Sequence, residues 1–138
     1  MEKIGDYTLN GEQLLIETSL ISKADKYGRI VYANDKFCDV SGYTYDELIG
    51  CDHRVVNSGV HKKEYWHNMY KTVTNDRKIW HDTVTNKNKK GELYFVKSWI
   101  QGIFDKNNNF IGFISVRQDV TEIIKAKFFR RNYRGSLS

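Results

Sequence analysis

The sequence predicts an α+β domain, with short helices packed on one face of a single antiparallel sheet. Three observations carry this. Two strand-like segments near the N-terminus flank a glycine turn. Three or four short helical segments follow. Three more strand-like segments then close the chain as a meander. Helices held between two groups of antiparallel strands pack on one side of one sheet. The 138 residues make one domain of ordinary size, and 40% hydrophobic content with 14% aromatics is a globular composition.

Residues 1–15 mix polar and apolar positions without a sustained period and read as an N-terminal arm or cap. The stretch "LLIETSLISKADKYGRIVYAN" (14–34) reads as two strands joined at "DKYGR", where Gly28 supplies the turn. "NDKFCDVSG" reads as a short helix that Asn34 or Asp35 caps and Gly42 ends. In "TYDELIG", Thr44 and Glu47 have capping-box spacing and Gly50 sits at a helix end. Trp66, Met69, Tyr70 and Val73 then fall at i, i+3, i+4 and i+7, one face of an amphipathic helix running from about 61 to 75.

The last three strands are "KIWHDTVTNK", "ELYFVKSWIQGIF" and "FIGFISVRQDVT", separated by the turns "NKNKKG" and "DKNNN". "EIIKAKFFRRNY" reads as a helix leaving the domain, so residues 123–138 are an exit helix or linker with a basic tail.

The net charge of +5 is local. Residues 125–134 hold five basic residues and no acidic one, so the rest of the chain sums to zero. A neutral fold lacks the positive face that a nucleic-acid platform needs, and no nucleic-acid partner is expected. The longest apolar run, "FIGFISV", is far short of the roughly 20 residues of a membrane span. The first 20 residues show no basic start followed by an apolar stretch, so the expected location is cytoplasmic. Two cysteines, Cys38 and Cys51, make no disulfide framework. With His53 they match no zinc spacing, and Cys38 reads as a small buried hydrophobe. No nucleophile–base pair, phosphate-cradling glycine loop or metal-ligand set is evident, so no enzyme is predicted.

The faces of the late strands suggest a pocket. Trp80, Asp82, Val84 and Asn86 share one face, and Tyr94, Val96, Ser98 and Ile100 share a face of the next strand. Turned inward, they offer an aromatic for stacking and polar groups for reading a ligand's edge. Asn34 and Asn86 are candidate edge readers. The competing reading is that the same residues fill the core.

"DKYGRIVYANDKFCDVSGYTYDELIG" and the closing "RQDVTE" resemble the opening and closing signatures of the PAS domain family. The resemblance covers residues 18–124 and places a PAS domain at 16–122. It implies a five-stranded antiparallel sheet with helices over its concave face, and a small-ligand or redox sensor. It implies a homodimer coupled to an output domain such as a histidine kinase, a diguanylate cyclase or a chemotaxis receptor. The alternative expectation is a ligand-free dimerisation module.

"WHDTVTNKNKKGELYFV" is also similar to flavin-binding PAS domains of bacterial aerotaxis receptors and nitrogen-fixation regulators, with Trp80, Val84, Asn86, Gly91, Tyr94 and Val96 at matching positions. Flavin adenine dinucleotide (FAD) is therefore a candidate cofactor. The chain departs from the aerotaxis pattern: "NSGV" stands where those receptors carry arginine–histidine–proline–aspartate. The asparagine–cysteine–arginine motif of adduct-forming photoreceptors is absent.

The expected cofactor-binding set is Asn34, Trp80, Asn86, Tyr94, Ser98 and Arg117. Arg117 stands where flavin-type photoreceptors carry a ligand-contacting glutamine. Turned inward it can pair with a carboxylate or phosphate; the competing readings are a salt bridge with Asp82 or a solvent-facing head. Asp119, Thr121 and Glu122 match the family's exit motif, where strand motion passes to the last helix. Haem would need His61 turned inward, and His61 reads instead as a helix-start residue. His67 falls on the wet face of its helix, and His53 and His81 have no evident partner.

Overall fold

The computed structural model describes residues 3–4, 7–8 and 11–137. A short hairpin pairs β1 (Lys3–Ile4) with β2 (Tyr7–Thr8). Helix α1 (Gly11–Thr18) follows, then β3 (Leu20–Asp25) and β4 (Ile30–Ala33). The helical segment comprises α2 (Asp35–Ser41), α3 (Tyr45–Leu48), a 3-10 turn (His53–Val56) and α4 (Lys63–Thr74). The chain closes with β5 (Trp80–Lys87), β6 (Leu93–Phe104), β7 (Phe110–Asp119) and α5 (Thr121–Leu137). No helix among the described residues is long and apolar enough to cross a membrane.

The five main strands form one antiparallel sheet in the order β4-β3-β7-β6-β5. The first and last segments of the domain thus meet at its centre, where Leu20 lies opposite Arg117 and Ser22 opposite Ser115. The predicted fold class holds.

One boundary differs from the sequence reading. Residues 14–18 are the end of α1, not the start of a strand, and β3 begins only at Leu20. "EQLLIET" contains good helix formers, and its apolar run does not alternate. Leu14 and Leu15 are 61% and 60% exposed on this helix.

Helix starts follow the predicted caps. Asn34 Oδ1 accepts from the Phe37 N–H at 3.1 Å, which satisfies a free donor at the start of α2. Gly42 ends α2 in the left-handed region at φ 78°, and its N–H donates to the Cys38 carbonyl. Thr44 and Glu47 form the reciprocal capping box of α3.

The inner face of the sheet and the helices above it share one core. Leu20, Ile30, Phe37, Leu48, Val73 and Val96 are fully enclosed there. Burial of this apolar surface is the main stabilising term, about 25 cal/mol per Å² removed from water. On α4, Val73 is buried and Trp66 and Met69 are half-buried, as the spacing predicts; His67 is exposed. Tyr70 remains half exposed, with its ring near Phe110 and Phe113.

The loop after the 3-10 turn protects an edge of the sheet. Asn57 bridges to Asn86, Ser58 Oγ donates to the Thr85 carbonyl at 2.7 Å, and the Thr85 N–H donates to His61 Nε2 at 2.9 Å. The outward backbone groups of Thr85 are thereby paired rather than left open.

Candidate functional site

The inner face carries an unusual amount of buried polarity. Ser22, Ser98, Ser115 and Arg117 are all buried on the three central strands. The alternation that buries Trp80, Val84, Tyr94, Val96, Ser98 and Ile100 also turns Arg117 inward, because Arg117 lies opposite Ser98 in the ladder. A solvent-facing head is therefore wrong for Arg117, which is only 4% exposed.

The guanidinium has three neighbours. Its Nη2 donates to Ser22 Oγ at 3.1 Å and to His53 Nε2 at 2.8 Å. Its carbon sits 5.0 Å from the centre of the Phe37 ring. Nη1 is buried and has no hydrogen-bond partner among the described residues. No carboxylate pairs with Arg117 among the described residues. The Asp82 alternative fails: the Asp82 carboxylate is exposed and accepts from the Tyr65 hydroxyl at 2.8 Å. Burying an ion without a counter-charge costs several kcal/mol, and native proteins rarely leave buried donors unmade.

His53 completes this cluster, and its role was not visible in the sequence. Its Nε2 accepts from Arg117, so the bonding pattern puts the ring proton on Nδ1. Nε2 also lies 3.1 Å from the Ser22 hydroxyl. Burial, and then the adjacent Arg117 charge, push the imidazole down to about 3. Arg117 is lowered to about 10 by its own burial and stays charged at neutral pH. His53 reaches the guanidinium because Asp52 caps the 3-10 turn through the Arg54 N–H, which fixes the turn's entry beside the sheet.

Tyr94 and Trp66 add two more buried donors without partners among the described residues, the phenol Oη and the indole Nε1. The Tyr94 phenol is pushed up to about 12, chiefly by burial; the nearby Arg117 charge opposes the shift. Asn86 faces Tyr94 across the ladder, and its amide lies close enough to influence the phenol, but the hydroxyl is not aligned into a hydrogen bond. Ser98 is fully buried; its hydroxyl makes a long 3.5 Å contact to the Val96 carbonyl, and its own carbonyl lies 2.9 Å from His81 Nδ1.

Asn34 does different work from an edge reader. Its Oδ1 accepts from Phe37 and Ile21 N–H groups, and its Nδ2 donates to the Ile16 and Ser19 carbonyls at 2.8 and 2.7 Å. All four bonds go to backbone, so the side chain clamps α1, β3 and α2 together and has little left for a ligand.

The aromatic residues pack on one another. Tyr65 meets Trp80 edge-to-face at 5.4 Å, and Trp66 lies 6.4 Å from Trp80 at a 40° tilt. A flat heterocycle sandwiched between rings needs parallel planes about 7 Å apart, twice the van der Waals separation. Tyr65, Trp66 and Trp80 offer no such parallel pair. His61 does not face a haem site, since its Nε2 serves β5 and its ring stacks on Tyr65 at 4.1 Å. His81 stacks on Trp99 at 4.4 Å. Cys38 is half-buried against the core, while Cys51 is exposed.

The strand-to-helix junction is closely tied. Asp119 Oδ1 accepts from the Thr121 hydroxyl at 2.6 Å and from the Thr121 N–H at 3.0 Å. The Phe95 N–H donates to Thr121 Oγ1 at 2.9 Å, and the Val120 N–H to the Phe95 carbonyl at 2.8 Å. Glu122 sits exposed in the first turn of α5, where negative charge favours the helix. Arg117 is two residues from this junction along β7.

The chain is similar to part of the bacterioopsin transcriptional activator of Halobacterium salinarum, 29% identical over 97% of this chain and 21% of that protein. It is 30% identical to the aerotaxis receptor of Escherichia coli over 83% of this chain and 22% of the receptor. It thus spans about a fifth of the length of these relatives. Among solved structures, a PAS domain from Colwellia psychrerythraea superposes with a TM-score of 0.71 at 19% identity, covering 76% of this chain and 88% of that one. A light-oxygen-voltage domain studied with a flavin analogue gives 0.69 at 18% identity, covering 90% and 93%. The family model described as PAS domain matches residues 10–122. With the sheet order, caps and exit junction already in place, that match establishes that the chain belongs to the PAS domain family.

Proposed function

We propose that this chain is a non-catalytic sensory module that binds a small molecule on the inner face of its sheet. Occupancy is passed through the Asp119–Thr121 junction to α5 and on to an output domain. The observation that carries this reading is Arg117: a buried cation with an unmade donor, on the strand that feeds the exit helix. A core that served packing alone would gain by replacing it. A ligand shifts such a module only if it stabilises one arrangement over the other, and a group that completes Arg117 does so.

The test is mass spectrometry of small molecules released from the denatured, freshly purified chain, with thermal shifts against a metabolite panel and hydrogen exchange of α5. A bound or stabilising molecule that also alters exchange at the start of α5 supports the proposal. A chain that emerges empty and responds to nothing refutes it. The expected protein is colourless; a flavin envelope would correct the ligand class and leave the sensory role standing.

A second reading, dimerisation, draws on a different observation. Leu14, Leu15, Ile123 and Phe128 leave apolar surface exposed on α1 and α5, between 57% and 67% of each residue. Two copies pairing through these helices would cover it. A chain that stays monomeric in light scattering at high concentration would remove this reading.

A further inference from the structure

Three buried polar atoms without a hydrogen-bond partner among the described residues share a property. Arg117 Nη1, Tyr94 Oη and Trp66 Nε1 all carry hydrogens to give. What completes this interior must therefore bring acceptors. It must also bring negative charge, since Arg117 has no carboxylate partner among the described residues.

We propose that Arg117 and Tyr94 form the recognition end of a site for a small organic carboxylate. One carboxylate oxygen accepts from the open Nη1 and the other from the Tyr94 hydroxyl. The inference rests on the sensory reading above and specifies its ligand.

Charge and donor count select this class. A single buried positive charge is neutralised by a single negative one. A carboxylate presents two acceptor oxygens, one for Nη1 and one for the phenol, and its bond to the guanidinium is charge-assisted. Inorganic phosphate brings two further oxygens and, near neutral pH, a second negative charge, for which the cluster has no second cation. A phenol is protonated at neutral pH, and burial pushes this one further up, so it can donate. His53 and Ser22 already occupy Nη2, which fixes the guanidinium plane and leaves Nη1 to the ligand. Phe37 lies against the guanidinium, so the acid must be compact near its charged end.

The test uses the whole chain. Its melting temperature is measured with sodium acetate, pyruvate, succinate and benzoate at about 10 mM, where even a millimolar site registers by mass action. Sodium chloride at matched ionic strength is the baseline, and acetamide, benzamide and inorganic phosphate are the controls. At least one carboxylate should raise the melting temperature saturably, while its amide and phosphate should not. Arg117→Met should abolish the shift, and Tyr94→Phe should weaken binding about tenfold, the loss of one hydrogen bond to a charged group. No shift from any of the four acids, equal shifts from the amides or phosphate, or a full response in Arg117→Met would overturn the carboxylate assignment. A neutral molecule recovered from the purified protein would overturn it too, yet leave the sensory reading intact.

Discussion

Arg117 Nη2 stands 2.8 Å from His53 Nε2, a permanent cation donating to an imidazole that must stay neutral to receive it. The pair links the second-to-last turn of the helical segment to the strand that leads out of the domain. It also makes the fold sensitive to protons.

His53 is held below its unfolded pKa of about 6.5, to about 3. Between those values the unfolded chain binds more protons than the folded one, so stability is full above pH 6.5 and falls as the pH drops toward 3. Melting curves from pH 7.5 to pH 5 should show a steeper loss in the wild type than in His53→Gln. Glutamine supplies a neutral acceptor to Arg117 and does not titrate there. Parallel pH profiles would remove His53 as the source.

Arg117 itself should be a cost to the empty protein. Replacing a buried ion by an apolar side chain of similar length is often neutral or stabilising by about 1–4 kcal/mol. Arg117→Met keeps the Ser22–His53 contact and removes the uncompensated charge. Urea unfolding of the ligand-free variant should give equal or higher stability than the wild type. A large loss would mean that the bonds to Ser22 and His53 already balance the desolvation cost.

Much of this was legible in the sequence. Alternation identified the inward set from Trp80 to Ile100, Asp82 excepted, and Asn34, Thr44 and Gly42 marked helix ends through local chemistry. Local rules fail where partners are distant. His53 and Arg117 are 64 residues apart, and their meeting follows from β3 and β7 pairing at the centre of the sheet. Asp82 shares the inward phase of its strand but lies on the edge strand, where Tyr65 reaches it from α4. Asn34 was legible as a cap but not as a clamp, because Ile16 at the end of α1 and Ser19 just after it lie in a stretch that reads as a strand.

That clamp should be among the most sensitive single positions. Asn34→Asp keeps the two acceptor bonds but turns both donor bonds into contacts between a carboxylate and backbone carbonyls. The expected loss is on the order of 3 kcal/mol, read as a shift in urea midpoint at unchanged slope. A variant within error of the wild type would show that α1 does not depend on Asn34.

Gly112 sits where β7 passes Ala24 of β3, and a Cβ placed there would lie 2.3 Å from the Ala24 carbonyl oxygen. No side chain can move to relieve that contact, because the obstacle is backbone. Gly112→Ala should force the central strands apart and cost more than about 2 kcal/mol, or prevent folding. Gly11 of α1, with nothing within 4 Å of its Cβ position, is the control; Gly11→Ala should fold normally.

The junction predicts a separation of stability from signalling. Thr121→Val keeps the shape but removes the acceptor for the Phe95 N–H and the donor to Asp119. Leaving that N–H unpaired costs about 1–3 kcal/mol. Thr121→Ser keeps the hydroxyl and should restore most of the loss. If the junction also transmits occupancy, Thr121→Val should still bind whatever the inner face binds, with little change in affinity. Hydrogen exchange at the start of α5 should then no longer respond to binding, while Thr121→Ser regains the response. Persistence of the response in Thr121→Val would mean that the signal reaches α5 through the Val120–Phe95 backbone bond alone.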